Sequence, residues 1–273
     1  NKEQSFRVFF NQEGLIYSDG YFFKPNIRFE SINLDETDLG KRIFALDGLD
    51  KCCEEKFGGA PSKSVILNKW PTDSVFGCFI DKIMNNKGPF LHTNIDYLIC
   101  DDLQKEIADF IAIDEQNQKV IVVHCKHKES IKSASAFQDL CGQAVKNIGY
   151  LIKNNVDLMD LTNHIKLWDN EWNNYKKYGK GKSLKTVRIK TKRIIKGNIT
   201  GEAFWEKYKS IIKSPDSKTE VWLVMDGLSR NVLKQQLEKD KPEEQISQLM
   251  WILYCTQEII SEVGGVLKVF CRE

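Results

Sequence analysis

At 273 residues, with 41% hydrophobic and 29% charged residues, the chain has the composition of a globular protein and is long enough to bury about three quarters of its unfolded surface. A formal net charge of +2 means that any nucleic-acid surface must be local, and collagen-like, disordered and disulfide-knot classes are excluded. No run of ~18 apolar residues occurs, which excludes a membrane-spanning helix.

The chain opens on the polar stretch NKEQS without an initiator Met. That start does not read as a signal peptide, and it suggests either a trimmed chain or a domain cut from a longer one, which leaves room for a module upstream of Asn1. Residues 1–50 read as mainly β, in the aromatic-rich runs FRVFF, GLIYSDGYFF and NIRFESINL, with a turn at Ser18-Asp19-Gly20. The stretch ETDLGKRIFALDGLDKCCEEKFGG is expected to be partly helical and to end at Gly58-Gly59, followed by a strand or loop in APSKSVILNKWP. A helix is expected from an N-cap at Thr72 to about Asn85, because Val75, Phe76, Phe79, Ile80 and Ile83 fall at helical spacing.

Three strands follow in NIDYLIC, EIADFIAID and KVIVVHCK. Their short turns predict an antiparallel meander, and the apolar character of both faces of the last two places them centrally. A helix over about 133–154 buries Phe137, Leu140, Cys141, Ala144, Val145, Ile148 and Leu151. A second, polar stripe carries Gln143, Lys146, Asn147 and Tyr150. Residues 155–218 read as less regular, with a helix in FWEKYKSII. The tract Tyr175 to Lys196 holds ten Lys or Arg and no acid. A strand (EVWLVMDGLS), a helix (NVLKQQLEK), a long helix (EEQISQLMWILYCTQEIISEV) and a last strand (GVLKVFCR) complete an α/β or α+β order.

The eight cysteines contain no C-x-x-C pair and sit mostly in apolar runs, the pattern of buried free thiols in a reducing cytoplasm. His124 and Cys125 are adjacent in a strand and point to opposite faces, which argues against a zinc site with His127. The GKGKS stretch at 179–183 lacks phosphate-loop spacing. Asp226-Gly227 reads as a plain strand-to-helix connection, and no partner for His92 or His164 can be named from the sequence.

The hairpin carries the chemistry. If Asp114 pairs with Lys119, Asp109 falls opposite His124, and Lys126 shares their face as a diagonal neighbour. A carboxylate, an imidazole and an ammonium would then cluster within an oily sheet, where unpaired ions are costly.

An Asp on one strand, a short hairpin, and (acid)-x-Lys on the next resembles the PD-(D/E)xK nuclease superfamily, as restriction endonucleases and archaeal Holliday-junction resolvases present it. Asp109 and Lys126 match the motif's Asp and Lys. Ala108 stands where the loosely kept Pro would be, and His124 stands in place of the usual Glu or Asp. The resemblance covers about 72–228 and implies a restriction-endonuclease-like core, helix, three-strand meander, helix and strand, with a central mixed sheet flanked by helices. It divides the chain into a β-rich part at 1–64 packed on a nuclease-like domain at 65–273, with a basic insertion at about 155–218.

The activity so implied is metal-dependent phosphodiester hydrolysis, most readily of DNA, with Asp109 and His124 holding Mg²⁺ or Mn²⁺ and the carbonyl of Cys125 completing the shell. Lys126 would orient water and offset phosphate charge, and Gln143 would lie near the scissile phosphate with Lys146 one turn on. Glu106 becomes a ligand only if its strand bulges, and Asp73 and Asp81 are candidates for an extra acid. Lys185, Arg188, Lys190, Lys192 and Arg193 would grip the backbone. Trp168, Trp172, Tyr175 and Tyr178 would either stack on bases or pack in the core. A looser likeness to nuclease modules of bacterial antiphage systems implies fusion to or association with an ATPase or helicase, and a homo-oligomer is also open. Two further readings stand beside this one. The first is a nuclease-fold domain that binds nucleic acid or a protein without cleaving. The second is an interaction domain whose buried ion pair only imitates the motif.

Overall fold

The computed structural model describes residues 6–10, 13–18, 21–23, 32–103, 106–129, 134–159 and 161–273. Three N-terminal strands, β1 (Phe6–Phe10), β2 (Glu13–Ser18) and β3 (Tyr21–Phe23), form an antiparallel sheet of their own. Asp19 and Gly20 of the expected turn and most of the NIRFESINL run lie outside the described residues. Then follow β4 (Ile43–Ala45), β5 (Val65–Leu67), α1 (Val75–Met84), β6 (Tyr97–Cys100), β7 (Phe110–Asp114), β8 (Lys119–Lys126) and α2 (Ala134–Lys146). The second half contains α3 (Thr162–Ile165), β9 (Glu171–Tyr178), β10 (Lys185–Lys192), β11 (Ile194–Lys196) and α4 (Gly201–Lys213). It closes with β12 (Lys218–Ser229), α5 (Arg230–Leu237), α6 (Glu244–Glu262) and β13 (Gly265–Arg272).

The protein is α/β, built on a mixed seven-stranded sheet in the order β11-β6-β7-β8-β12-β13-β4. The strands from β11 to β8 run antiparallel to their neighbours, and β8, β12, β13 and β4 run parallel. The meander is as expected, and Asp114 pairs with Lys119. The loop fixes that register: Asp114 Oδ1 accepts the Asn117 N–H at 3.1 Å, and Gln118, at φ 48°, turns the chain back.

The alternation of side chains in β7 and β8 feeds two cores. Ile111, Ile113, Val120 and Val122 face a helical layer that includes Leu140 of α2, Tyr208 of α4 and Leu253 of α6. Phe110, Ala112, Ile121 and Val123 face Phe76 and Phe79 of α1 together with Trp172, Val187 and Ile189. The last three belong to a second layer, the three-stranded sheet β5-β10-β9. Burying a large apolar side chain contributes roughly 1.5–3 kcal/mol, so covering both faces holds β7 and β8 firmly in the sheet.

Several expected boundaries shift. The cap of α1 is Ser74, whose hydroxyl accepts the Gly77 N–H at 3.1 Å, and not Thr72. Gly77 is required there, because a Cβ would lie 1.9 Å from the Pro71 carbonyl oxygen. Helix α2 stops at Lys146 and a 3₁₀ turn follows at Ile148–Leu151. The segment at 155–218, expected to be a less regular basic insertion with one helix, contains that helix and also contributes strands to the main sheet and to β5-β10-β9. Helix α4 buries Phe204, Tyr208 and Ile212, β11 extends the main sheet, and Trp168 and Trp172 are core residues. Beyond residue 32 the N-terminal part is mostly loop with short 3₁₀ turns, lending β4 to one sheet, while β5 joins the other. All eight cysteines are free, and only Cys53 and Cys255 are exposed.

Past the end of β6, Asp101 is fully buried and organises the chain around it. Its Oδ1 lies 2.6 Å from His164 Nε2 and 2.6 Å from Trp168 Nε1, and its Oδ2 accepts the Ile107 N–H at 2.6 Å. Replacing Asp101 with Ala leaves all three partners unsatisfied and should lower unfolding free energy by about 3–5 kcal/mol in urea titrations. A loss under about 1 kcal/mol, the worth of one ordinary hydrogen bond, would contradict this role.

Candidate functional site

Strand β7 was expected to begin near Glu106, but its ladder with β8 ends at Phe110↔Val123. Residues 106–109 leave the strand conformation. On the β6 side the main chain still pairs, with the Asp101 N–H bound to the Asp109 carbonyl at 2.9 Å. On the β8 side the Asp109 carboxylate replaces the ladder. Its Oδ2 accepts the Cys125 N–H at 2.7 Å, a donor that a continuing β7 would have met with a backbone carbonyl.

This departure changes Asp109's neighbours. The expected pair with His124 is not formed, because Asp109 no longer stands across the ladder. Ligand oxygens of Asp109, Glu106 and Asp102 all lie within 4.8 Å of one another. Glu106 joins the cluster not through the bulge that was expected to be needed but because β7 begins only at Phe110. Asp102 is oriented by Lys56, whose Nζ is 2.8 Å from Oδ1, and by Trp172, whose Nε1 donates to Oδ2 at 2.6 Å. The Arg193 guanidinium holds the carbonyls of Cys100 and Asp102 at 3.2 and 3.1 Å. From α2's C-terminal end, Asn147 Nδ2 holds the carbonyls of Ile107 and Glu106 at 2.8 and 3.2 Å.

Burial, followed by the charge of Asp102, pushes Glu106 up to about 7. Burial also drives Asp109 well above the usual carboxylate range, with the charge of Glu106 adding to it; Lys56 and the Cys125 N–H act in the opposite direction. Lys56 is held above its ordinary value by Asp102 and Asp109, although burial opposes this. Three acids thus share one lysine in a partly dry site. An all-oxygen donor set in which Asp102 and Asp109 are fixed by outer hydrogen bonds would fit a hard divalent cation such as Mg²⁺ or Mn²⁺. Among the described residues it is the one such grouping of His, Cys, Asp and Glu. A cleft of about 380 Å³ lies beside it, lined by Lys56, Asp102, Trp172, Asn173 and Asn174.

The other expected residues divide. His124 is 2% exposed, its Nε2 has no hydrogen-bond partner among the described residues, and burial lowers it to about 4, so it is neutral at pH 7. Lys126 is half-buried at the end of β8, with no ion pair among the described residues. Gln143 is half-buried one turn before Asn147, on the α2 face turned toward 106–107, and Lys146 is exposed. Lys185 is half-buried, and Arg188, Lys190 and Lys192 are exposed. Arg193 is buried, so it is a brace of the site and not a surface cation. Asp73 accepts the Gly59 N–H at 3.0 Å, and Asp81 bonds Asn85 at 3.1 Å and Lys87 at 3.4 Å, which commits both to local structure. Asp226 is more than a connector. It is fully buried, 2.6 Å from His127 Nδ1 and 2.7 Å from the Lys128 N–H.

The residues missed from the sequence are Lys56 and Asp102. Two acids closing the apolar run YLIC were the available signal for Asp102. Lys56 gave none, being 46 residues away from it. No protein-family model matches this chain, and neither a curated protein nor a solved structure is significantly similar to it.

The raised Glu106 sets a pH dependence. Below about 4.5 the group is protonated in both folded and unfolded chains. Between about 4.5 and about 7 the unfolded chain gives up a proton that the folded one keeps, so Glu106 lowers stability progressively as pH rises. The melting temperature of Glu106→Gln minus that of the native chain should therefore grow from pH 4.5 to 7 in the absence of divalent cations. At pH 8, Mn²⁺ should raise the native chain's melting temperature more than the variant's. A difference independent of both pH and Mn²⁺ would contradict this electrostatic picture.

Proposed function

We propose that the protein is a metal-dependent nuclease with a restriction-endonuclease-like core. The observation that carries the reading is the convergence of Asp102, Glu106 and Asp109 on one point at the head of β7. The element order supports it: α1, the β6-β7-β8 meander, α2, and β12 parallel to β8, the arrangement that the sequence resemblance implies.

In this reading Asp102, Glu106 and Asp109 hold Mg²⁺ or Mn²⁺, which when bound supplies Lewis-acid polarisation of the phosphate and lowers the pKa of water. Glu106, whose pKa of about 7 reflects burial beside Asp102, is the member of the set whose ionised form a bound cation would stabilise most. Lys56 fixes Asp102 and keeps a positive charge at the cleft. Lys126 remains the motif's lysine, offsetting charge on the phosphate, with Gln143 and Lys146 on the neighbouring helix. His124, buried and neutral, takes a packing role rather than the ligand role first assigned to it. DNA as substrate, service as the effector of a bacterial defence or DNA-processing protein, an ATPase or helicase partner and a cytoplasmic setting all follow from the resemblance. No described helix is long and apolar enough to cross a membrane.

One observation favours the second reading, a nuclease-fold domain that binds without cleaving. Both oxygens of Asp102 already have protein donors, Lys56 and Trp172, so part of the cluster's charge is balanced without a cation.

Plasmid DNA incubated with Mg²⁺ or Mn²⁺ separates the two. Asp109→Asn and Glu106→Gln should each reduce cleavage by about a hundredfold or more, while His124→Leu should retain it. Cleavage abolished by His124→Leu and untouched by Glu106→Gln would return the metal to the Asp109–His124 pair. Absence of cleavage with either metal, alongside retained DNA binding, would favour the binding-only reading.

A further inference from the structure

The basic tract does not act as one patch. In the β9–β10 hairpin, directly opposed residues share a face. Trp172 faces Thr191, and Val187 and Ile189 of β10 are buried against the main sheet. The other parity is turned to solvent: Asn173 opposite Lys190, Tyr175 opposite Arg188, and Lys177 opposite Thr186. On the far side of β10, Ile66 of β5 stands beside Arg188 and is 72% exposed. Tyr175 is 50% exposed, with the Lys177 Nζ 5.7 Å and the Arg188 guanidinium carbon 5.9 Å from its ring centroid. This outer face carries Lys177, Arg188, Lys190 and Lys192 against one acid, Glu171, which pairs with Lys190 at 2.9 Å.

The face also leads from the carboxylates. Asn173 and Asn174 line the cleft beside Asp102 and Lys56, and the next residues along β9, Tyr175 and Lys177, line a shallow depression of about 460 Å³ with Arg188 and Ile66. Alternate residues of a strand are about 7 Å apart, so β9 forms a short track from the acidic cleft to an aromatic and cationic platform.

We infer that the outer face of β5-β10-β9 binds single-stranded nucleic acid, seating an unpaired base on Tyr175 and the adjoining phosphates on Lys177, Arg188 and Lys192, and delivers the strand along β9 to the carboxylate cleft. Charge selects the polyanion. The exposed Tyr ring and Ile66 select the single strand, because a base offers its flat face only when it is not stacked inside a duplex. Delivery to the cleft rests on the nuclease reading; binding to the platform does not.

The test is fluorescence anisotropy in EDTA with a labelled oligothymidylate and a duplex of the same length, at increasing salt. The single strand should bind more tightly than the duplex, with an affinity that falls linearly on a log–log salt plot. Tyr175→Ala should weaken it about tenfold, and Arg188→Ala should reduce the salt slope by about 0.7, the loss of one phosphate contact. Both substitutions are on the surface, and unchanged melting temperatures confirm that the fold is kept. Equal or tighter duplex binding, no binding of either probe, or neutrality of both substitutions would overturn the proposal. A parallel cleavage assay with Mg²⁺ and Mn²⁺ keeps the two claims apart. Binding as expected without cleavage removes the nuclease reading and leaves the platform, whereas cleavage without single-strand binding does the reverse.

Discussion

One hydrogen bond, from the Cys125 N–H to the Asp109 carboxylate at 2.7 Å, decides what the centre of this sheet can do. A buried backbone N–H must find an acceptor. At this position a side chain serves instead of a carbonyl, which frees β7 to leave the ladder at Phe110. The chain before it then folds over the end of β6 and brings Glu106 beside Asp109. Had the strand continued, Glu106 would have pointed away from Asp109, as alternation requires, and the three-acid cluster would not exist.

The surroundings brace that departure. Asp101 holds the Ile107 N–H, Asn147 holds the carbonyls of Glu106 and Ile107, and Arg193 holds those of Cys100 and Asp102. Arg193, Trp172 on Asp102, and Asn173 and Asn174 in the cleft all belong to the tract at 155–218, which therefore supplies part of the site's walls. The cluster they enclose is electrostatically strained, with Glu106 near 7 and Asp109 above the usual carboxylate range. A divalent cation relieves such strain. A proton does so as well, and Lys56 does in part, so the cluster is both the basis of the nuclease reading and the reason a binding-only reading stays in view.

Much of the fold was legible in the sequence. The hairpin register followed from a four-residue loop and the side-chain period, and the doubly apolar strands announced a covered sheet. The break at 106–109 was hidden because Ile107 and Ala108 are as buried as any strand residue, so hydrophobic pattern alone could not separate a bend from a continuing strand. Lys56, Asp102 and Trp172 meet only through tertiary packing across distant segments. The basic tract was visible as composition, yet its division into outward Arg188, inward Lys176 bound to Glu54 at 2.6 Å, and buried Arg193 depends on which face β10 turns to the core.

The most direct test of the central claim is anomalous scattering from crystals soaked in Mn²⁺. The account predicts one strong peak within coordination distance of carboxylate oxygens from Asp102, Glu106 and Asp109, with His124 remote from it. A peak on His124, or ordered carboxylates with no ion between them at saturating Mn²⁺, would contradict it.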